Sequence, residues 1–274
     1  MREETESRPK PMVTVGGRPI LWHIMKTYAH FGHKDFVLPL GYKGDMIKEY
    51  FLNYRAMNGD VTVDLGGPEA RVIHHDKTDE HDFRVTLADT GLDAMTGCRL
   101  ARVKRHVSGT FLCTYGDGLC DVDIDKLIAF HKAHGKIATV TSVPTISRFG
   151  VIETLDDGTV TSFAEKPDTS SWINAGYFVF EPAIFDYAKD DLNQVLEKQV
   201  MEGLTRDRQL AAYRHDGFFY AMDTYREYLH LNGLWDKGNA PWAHWKCGTH
   251  HPENIKKRAA EKLMNVQTPS VTVS

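Results

Sequence analysis

Two cations set among prolines, in Arg8-Pro9-Lys10-Pro11-Met12, are the first residues of this sequence whose types and spacing could do chemistry. Each proline fixes φ and resists helix formation, so the lysine between them is stiffened. A stiffened ammonium suits phosphate binding, and the same residues equally make an exposed basic turn. A second candidate is Tyr115-Gly116-Asp117-Gly118. A carboxylate flanked by glycines, which permit close backbone approach, fits a Mg²⁺ ligand, and it also fits a plain Asp-Gly turn. A third group is Arg148-Phe149-Gly150, Glu165-Lys166-Pro167 and Trp172-Ile173-Asn174-Ala175-Gly176. Its glutamate, lysine and asparagine could hold hydroxyls and a phosphate through charge-assisted and neutral hydrogen bonds.

These residues need elements to position them. Leu21, Ile24, Met25 and Tyr28 follow helical spacing, and Phe36-Val37-Leu38 forms a short β-type run. A second helical pattern through Met46, Ile47, Tyr50, Phe51 and Tyr54 leads to Val61-Thr62-Val63, and Val85-Thr86-Leu87 is a further strand. The run Phe111 to Tyr115 is apolar apart from Thr114 and empties into Gly116-Asp117-Gly118, as a central parallel strand does at a functional loop. Leu127, Ile128 and Phe130 supply another helix before the β-branched run Ile137 to Val143. This alternation predicts an α/β fold with a doubly wound, mostly parallel sheet, whose ligands sit beyond the carboxyl ends of the strands. From about Arg148, short runs at Val151-Ile152, Val160 to Phe163 and Ile173 to Phe180 predict a small mixed β lobe over about 148–180. One domain is expected over 1–245, with 246–274 a polar, mobile tail.

Lys10 with Gly16-Gly17-Arg18-Pro19-Ile20-Leu21 resembles the K-P-M/L segment and following turn of the sugar nucleotidyltransferase family. The resemblance runs from Glu3 to about Trp245 and implies a Rossmann-like fold of the nucleotide-diphospho-sugar transferase type. It assigns Lys10, with Arg8 beside it, to the reacting phosphate. It makes Asp117 a Mg²⁺ ligand and gives Asp223, in Met222-Asp223-Thr224, the second ligand position; as read from the residues, Asp223 is also a helix N-cap. Thr96-Gly97-Cys98-Arg99 resembles a T-G-G-R segment of the nucleotide site, with Cys98 in place of the second glycine, so Thr96, Gly97, Arg99 and Gly116 are expected at the nucleotide. As a bare sequence, Arg99 to Arg105 is a basic helix with solvated charges. The third group matches the family's R-F-G, E-K-P and W-I-N-(G/A)-G series, which places Arg148, Gly150, Glu165, Lys166 and Asn174 at the sugar phosphate. Leu21-Trp22-His23-Ile24-Met25-Lys26, Gly41-Tyr42-Lys43-Gly44 and Ala240-Pro241-Trp242 resemble the cytidylyltransferase branch, which implies CTP and glucose 1-phosphate as substrates and a homo-oligomer.

Family members open with an apolar strand and a G-G-x-G-T-R loop, and Met1 falls in the slot after that arginine. Two readings follow: an internal methionine taken as the start, or a truncation that leaves the protein inactive; upstream codons separate them. Without the first strand, neighbouring ladder groups and apolar faces are expected to be exposed and stability reduced.

Composition narrows the classes. The 274 residues are 42% hydrophobic, enough for a large α/β domain, and a formal charge of −4 gives no general attraction for nucleic acid. No run of eighteen apolar residues and no signal core are present, so a cytoplasmic protein with no membrane partner is expected. The four cysteines have no C-x-x-C spacing and are expected to be free thiols. His74-His75 and His250-His251 show no metal spacing. Two rivals remain: a transferase using another nucleotide or sugar phosphate, and a non-catalytic sugar-nucleotide-binding homologue. A dinucleotide oxidoreductase ranks behind them, since no G-x-G-x-x-G follows a strand.

Overall fold

The computed structural model describes residues 8–67, 71–75, 79–146, 151–164, 168–246 and 271–273. A 3₁₀ turn at Lys10–Met12 leads into a two-residue hairpin, β1 (Thr14–Val15) and β2 (Arg18–Pro19). Helix α1 (Ile20–His30) follows, and its helically spaced Ile20, Leu21, Ile24, Met25 and Tyr28 are all buried. Strand β3 (Asp35–Leu40) is buried from its second residue to its last, as expected of an interior strand covered on both faces. Helices α2 (Gly44–Leu52) and α3 (Tyr54–Asn58) carry the chain to β4 (Val61–Asp64), β5 (Arg71–His74) and β6 (Arg84–Asp89). Helix α4 (Thr96–Arg102), β7 (Phe111–Thr114), β8 (Gly118–Cys120) and α5 (Ile124–His134) come next. Beyond them lie β9 (Ala138–Ile146), β10 (Val151–Thr154), β11 (Val160–Ala164) and β12 (Asp168–Phe180). After a 3₁₀ turn at Pro182–Asp186 and a π-helical turn at Leu196–Val200, the chain continues through α6 (Met201–Arg206), β13 (Leu210–Arg214), β14 (Phe219–Ala221), α7 (Tyr225–Asp236) and β15 (Val271–Val273).

Seven strands form the main sheet, in the order β13-β9-β12-β7-β15-β3-β6. Four of its six pairings are parallel, and β12 runs antiparallel to both its neighbours. The alternation of side chains along a strand divides the core in two. Phe36, Leu38 and Leu112 face a cluster with Ile24, Tyr28 and Leu127 on one side. Val37, Phe111 and Cys113 face a second cluster with Leu100, Phe178 and Val200 on the other. Both faces are therefore covered, which confirms the α/β class with a mostly parallel sheet. The β10–β11 pair is an antiparallel hairpin of its own within the expected small lobe.

Three expectations are corrected. The run Val61 to Val63 lies outside the main sheet, in the β4–β5 hairpin. Strand β7 is parallel to its neighbour on one side only, because β12 borders it antiparallel on the other. The largest difference concerns 246–274. Residues 247–270 lie outside the described residues, but Val271–Val273 is no tail: it pairs in parallel with β3 and with β7, and Thr272 is buried. Backbone groups of β3 and β7, between which open ladder groups were expected, are thus paired by the strand β15. Among the described residues, no helix is long and apolar enough to cross a membrane.

Candidate active site

Lys10, Asp117 and Asp223 meet at one point. The Lys10 Nζ donates to Asp117 Oδ2 at 2.6 Å and to Asp223 Oδ1 at 2.5 Å, joining residues 107 and 213 positions apart. Local sequence explains each arm. Pro9 is extended and buried, and the backbone N–H of Met12 bonds the Pro9 carbonyl at 2.8 Å, so the turn carrying Lys10 is fixed. The β1–β2 turn then adopts left-handed backbone at Gly16 and Gly17, φ +58° and +79°. A Cβ on Gly16 would sit 2.0 Å from the Trp235 indole, so only glycine lets this turn lie against α7. Asn232 of α7 accepts the Gly16 N–H at 2.9 Å. Asp223 immediately precedes Thr224, the N-cap of α7, so one element anchors both ends of the Lys10–Asp223 contact.

The carboxylates are aligned by a ribbon. Strands β8 and β14 pair antiparallel, Ala221 opposite Gly118, and the Met222 N–H donates to the Asp117 carbonyl at 2.9 Å. At the far end, Asp121 Oδ1 accepts from His215 Nε2 and from the Phe218 N–H, each at 2.7 Å. Cys120 lies close enough to Asp121 and His215 to make a three-ligand metal group. Burial pushes the Cys120 thiol up to about 12, and the two bonds to Asp121 brace this end of the ribbon. The sequence allowed Asp223 to be the helix cap; Thr224 takes that role instead. Its side chain accepts from the Glu227 N–H, Glu227 reaches back in a full capping box, and the Asp223 carboxylate remains turned to Lys10. Burial alone would lower the Lys10 pKa, but hydrogen bonds and charge from Asp117 and Asp223 outweigh it and hold the ammonium above its ordinary range.

These residues border a cleft of about 690 Å³, lined by Asp117, Asp223, Asn174, Tyr115, Phe219 and Tyr220 among others. Asn174 Nδ2 donates to the Tyr115 hydroxyl at 3.2 Å, and Asn174 Oδ1 accepts the Gly176 N–H at 2.7 Å. Gly116 is buried in the turn below, where Tyr115 N bonds the Gly176 carbonyl at 3.0 Å. Thr96, Gly97 and Arg99 do not line this cleft. Thr96 is joined to it indirectly: its hydroxyl donates to Glu197 at 3.1 Å, and Glu197 accepts the Tyr115 hydroxyl. Gly97 packs so closely on the Gln194 carbonyl that a Cβ would meet it at 2.8 Å.

The reading of Arg99 to Arg105 as a solvated basic helix is corrected for Arg99 and Arg102, while Lys104 and Arg105 are exposed as expected. Arg99 turns inward to the loop before α4, its Nε donating to the Ala94 carbonyl at 2.8 Å and its NH1 to the Thr90 hydroxyl at 3.3 Å. Arg102 pairs with Asp190 at 2.6 Å and donates to the Thr90 carbonyl at 2.7 Å. Cys98 is buried with its thiol directed at Asp190. Arg8 lies two residues from Lys10, in the same short segment. Arg148, Gly150, Glu165 and Lys166 lie outside the described residues.

Sequence reasoning missed Tyr115, Glu197 and Glu227 as parts of the site. Glu227 had a local signal, the Thr224-x-x-Glu227 spacing of a capping box. The Tyr115–Glu197 contact spans 82 positions and has none. Chemically, two carboxylate oxygens converging on one cation make a hard, all-oxygen donor pair, which is what Mg²⁺ takes; the residues fit such an ion.

Comparison with known proteins completes the description. A family model described as nucleotidyl transferase matches residues 2–224. A glucose-1-phosphate cytidylyltransferase of Salmonella typhi is 46% identical over 250 residues, covering 90% of this chain and 95% of that protein. A mannose-1-phosphate guanylyltransferase catalytic subunit beta of Dictyostelium discoideum is 27% identical and matches 86% of this chain. The crystal structure of HddC from Yersinia pseudotuberculosis covers 83% of this chain and is 90% covered itself, with a TM-score of 0.58 at 19% identity, which shows a shared fold. The identity drops by about two fifths between the cytidylyl and guanylyl relatives, and on that contrast this chain belongs to the nucleotidyl transferase family, on its glucose-1-phosphate cytidylyltransferase branch.

Proposed function

We propose that this protein transfers CMP from CTP to glucose 1-phosphate, giving CDP-glucose and pyrophosphate. A phosphate oxygen of the sugar phosphate attacks the α-phosphorus of CTP, the bond to the β-phosphate breaks, and pyrophosphate leaves with its electron pair. No covalent enzyme intermediate is needed. Such a transfer is served by positioning and charge neutralisation. The observation that carries the reading is the convergence of Lys10, Asp117 and Asp223 at the edge of a cleft large enough for substrates.

Asp117 and Asp223 would hold Mg²⁺, which when bound neutralises charge on the nucleotide phosphates. Lys10 donates hydrogen bonds to phosphate oxygen where negative charge grows. Asn174, held by Tyr115 and the Gly176 N–H, is the described residue offered to the sugar, and the family resemblance adds Glu165 and Lys166 as candidates for the sugar phosphate. Thr96 reaches the nucleotide side of the cleft through Glu197 and Tyr115, and Gly97 and Arg99 fix the helix and loop that carry it. The reading carries with it a cytoplasmic homo-oligomer that supplies CDP-glucose for deoxysugars of surface polysaccharides. Pyrophosphate release, measured with each nucleoside triphosphate and glucose 1-phosphate in the presence of Mg²⁺, tests it. CTP should give the highest kcat/KM; equal or better use of GTP, UTP or dTTP overturns the choice of base, and sugar-nucleotide binding without pyrophosphate release favours the non-catalytic homologue.

A further inference from the structure

The ammonium of Lys10 stands where a divalent cation would stand. It is within 2.6 Å of Asp117 Oδ2 and 2.5 Å of Asp223 Oδ1, the two oxygens assigned above to Mg²⁺. A Mg²⁺ ion held by Asp117 and Asp223 would draw on the carboxylate oxygens that the ammonium already contacts, so ion and ammonium would compete for the same pair. Two like charges gathered on that pair would also repel. Nor can Lys10 withdraw by moving its backbone, because Pro9, Pro11 and the Met12 N–H to Pro9 carbonyl bond fix the turn. The side chain must therefore swing as a lever from a fixed hinge, and its charge needs a new partner. In the cleft beside it, the phosphates of a bound nucleotide would supply one.

We propose that Lys10 is the resident counter-cation of the Asp117–Asp223 pair, holding the two carboxylates together in the free protein and yielding them to the metal as it turns to the nucleotide phosphates. The proposal rests on the reading of Asp117 and Asp223 as metal ligands. It makes metal binding to the free protein weak and couples it to nucleotide binding: each ligand removes a cost the other would otherwise meet. The metal thus arrives with the nucleotide, and the lysine is aimed at phosphate only when the metal is in place. Lys10 would be at once the electrostatic support of the carboxylate pair in the free protein and the group that completes the site with nucleotide bound.

Binding of Mn²⁺ to the full chain without nucleotide, followed by the electron paramagnetic resonance of free Mn²⁺, is the first measurement. The variant Lys10→Met should bind Mn²⁺ about tenfold to a hundredfold more tightly than the unaltered protein, the effect expected when a contacting opposite charge is removed from a carboxylate site. Equal or weaker binding by a variant with unchanged near-ultraviolet circular dichroism overturns the proposal. A second measurement needs no variant. In crystals of the unaltered protein soaked with Mn²⁺, the anomalous peak should lie between Asp117 and Asp223 with Lys10 Nζ out of contact with both. A peak there with Lys10 still touching both carboxylates overturns the proposal alone. No peak there at saturating Mn²⁺ overturns the metal-ligand reading, and the proposal with it.

Discussion

The carboxylate of Glu227 accepts the backbone N–H of Asp223 at 2.6 Å and that of Thr224 at 2.8 Å. Glu227 is buried, whereas the Asp223 side chain is 58% exposed, so the hidden acid fixes the backbone of the working one. Removing each should separate stability from turnover. Glu227→Ala leaves two N–H groups without their acceptor and is expected to cost about 1–2 kcal/mol in urea unfolding. Asp223→Asn breaks only a partly exposed ion pair and should cost about 1 kcal/mol or less. Pyrophosphate release should rank the other way, with Asp223→Asn lower by about 100-fold or more and Glu227→Ala reduced far less. Equal losses of turnover would remove the distinction.

Gly176 carries the contact between the sugar side of the cleft and Tyr115. Its φ is +73°, and a Cβ would lie 2.3 Å from the Tyr115 ring. Gly176→Ala must therefore pay for a left-handed backbone and push the ring away, together about 2–4 kcal/mol. Displacing Tyr115 also frees Asn174 and Glu197, so KM for glucose 1-phosphate is expected to rise while kcat changes less. A variant with wild-type stability and KM would show that the ring is not held here.

The parts of this fold that were legible in the sequence are those whose cause is local. Helix α1 and strand β3 follow from apolar spacing, and the β7 run empties into Asp117 as its pattern indicated. The prolines around Lys10 left a phosphate contact and a basic turn equally open, and the resemblance carried by Gly16 to Leu21 singled the lysine out. What could not be read depends on distant partners. Arg99 looks like one charge in a basic helix until the loop at Thr90 to Ala94 folds over it. Val271-Thr272-Val273 is too short for periodicity, and only the open ladders of β3 and β7 make it a strand. Glu197 offers no local cue because its partners, Thr96 and Tyr115, sit on two other elements.

His23 should make stability fall in mild acid. Its Nε2 bonds the Val15 carbonyl at 2.8 Å, and its Nδ1 accepts from the Trp242 indole N–H at 3.3 Å, a pattern that requires the neutral ring. Burial first, then the charges of Lys246 and Arg18, push the ring down to about 4, although the Val15 bond opposes them. The unfolded chain takes up the proton near 6.5 and the folded chain near 4, so stability is full above pH 6.5 and is lost as pH falls between the two. That loss amounts to about 3 kcal/mol. Urea unfolding at pH 7 and pH 4.5 should show it, and His23→Gln, which keeps a donor and an acceptor, should shrink the difference by most of that amount. An unchanged difference would assign the acid sensitivity to other groups.

Strand β15 tests how far the sheet depends on its central position. Thr272 pairs with Val37 on one side and Cys113 on the other, and both flanking residues are buried. Ending the chain at residue 270 would leave N–H and C=O groups of β3 and β7 in the core without partners, at about 1–3 kcal/mol for each one that water cannot reach. The loss is more than the value of three residues, because the sheet would be split into β13-β9-β12-β7 and β3-β6. Lower Tm and concentration-dependent aggregation in light scattering are expected of the shortened chain, while Thr272→Val, which keeps the backbone and the volume, should preserve both properties. A shortened chain as stable and as monodisperse as the original would mean that β3 and β7 do not need a strand between them.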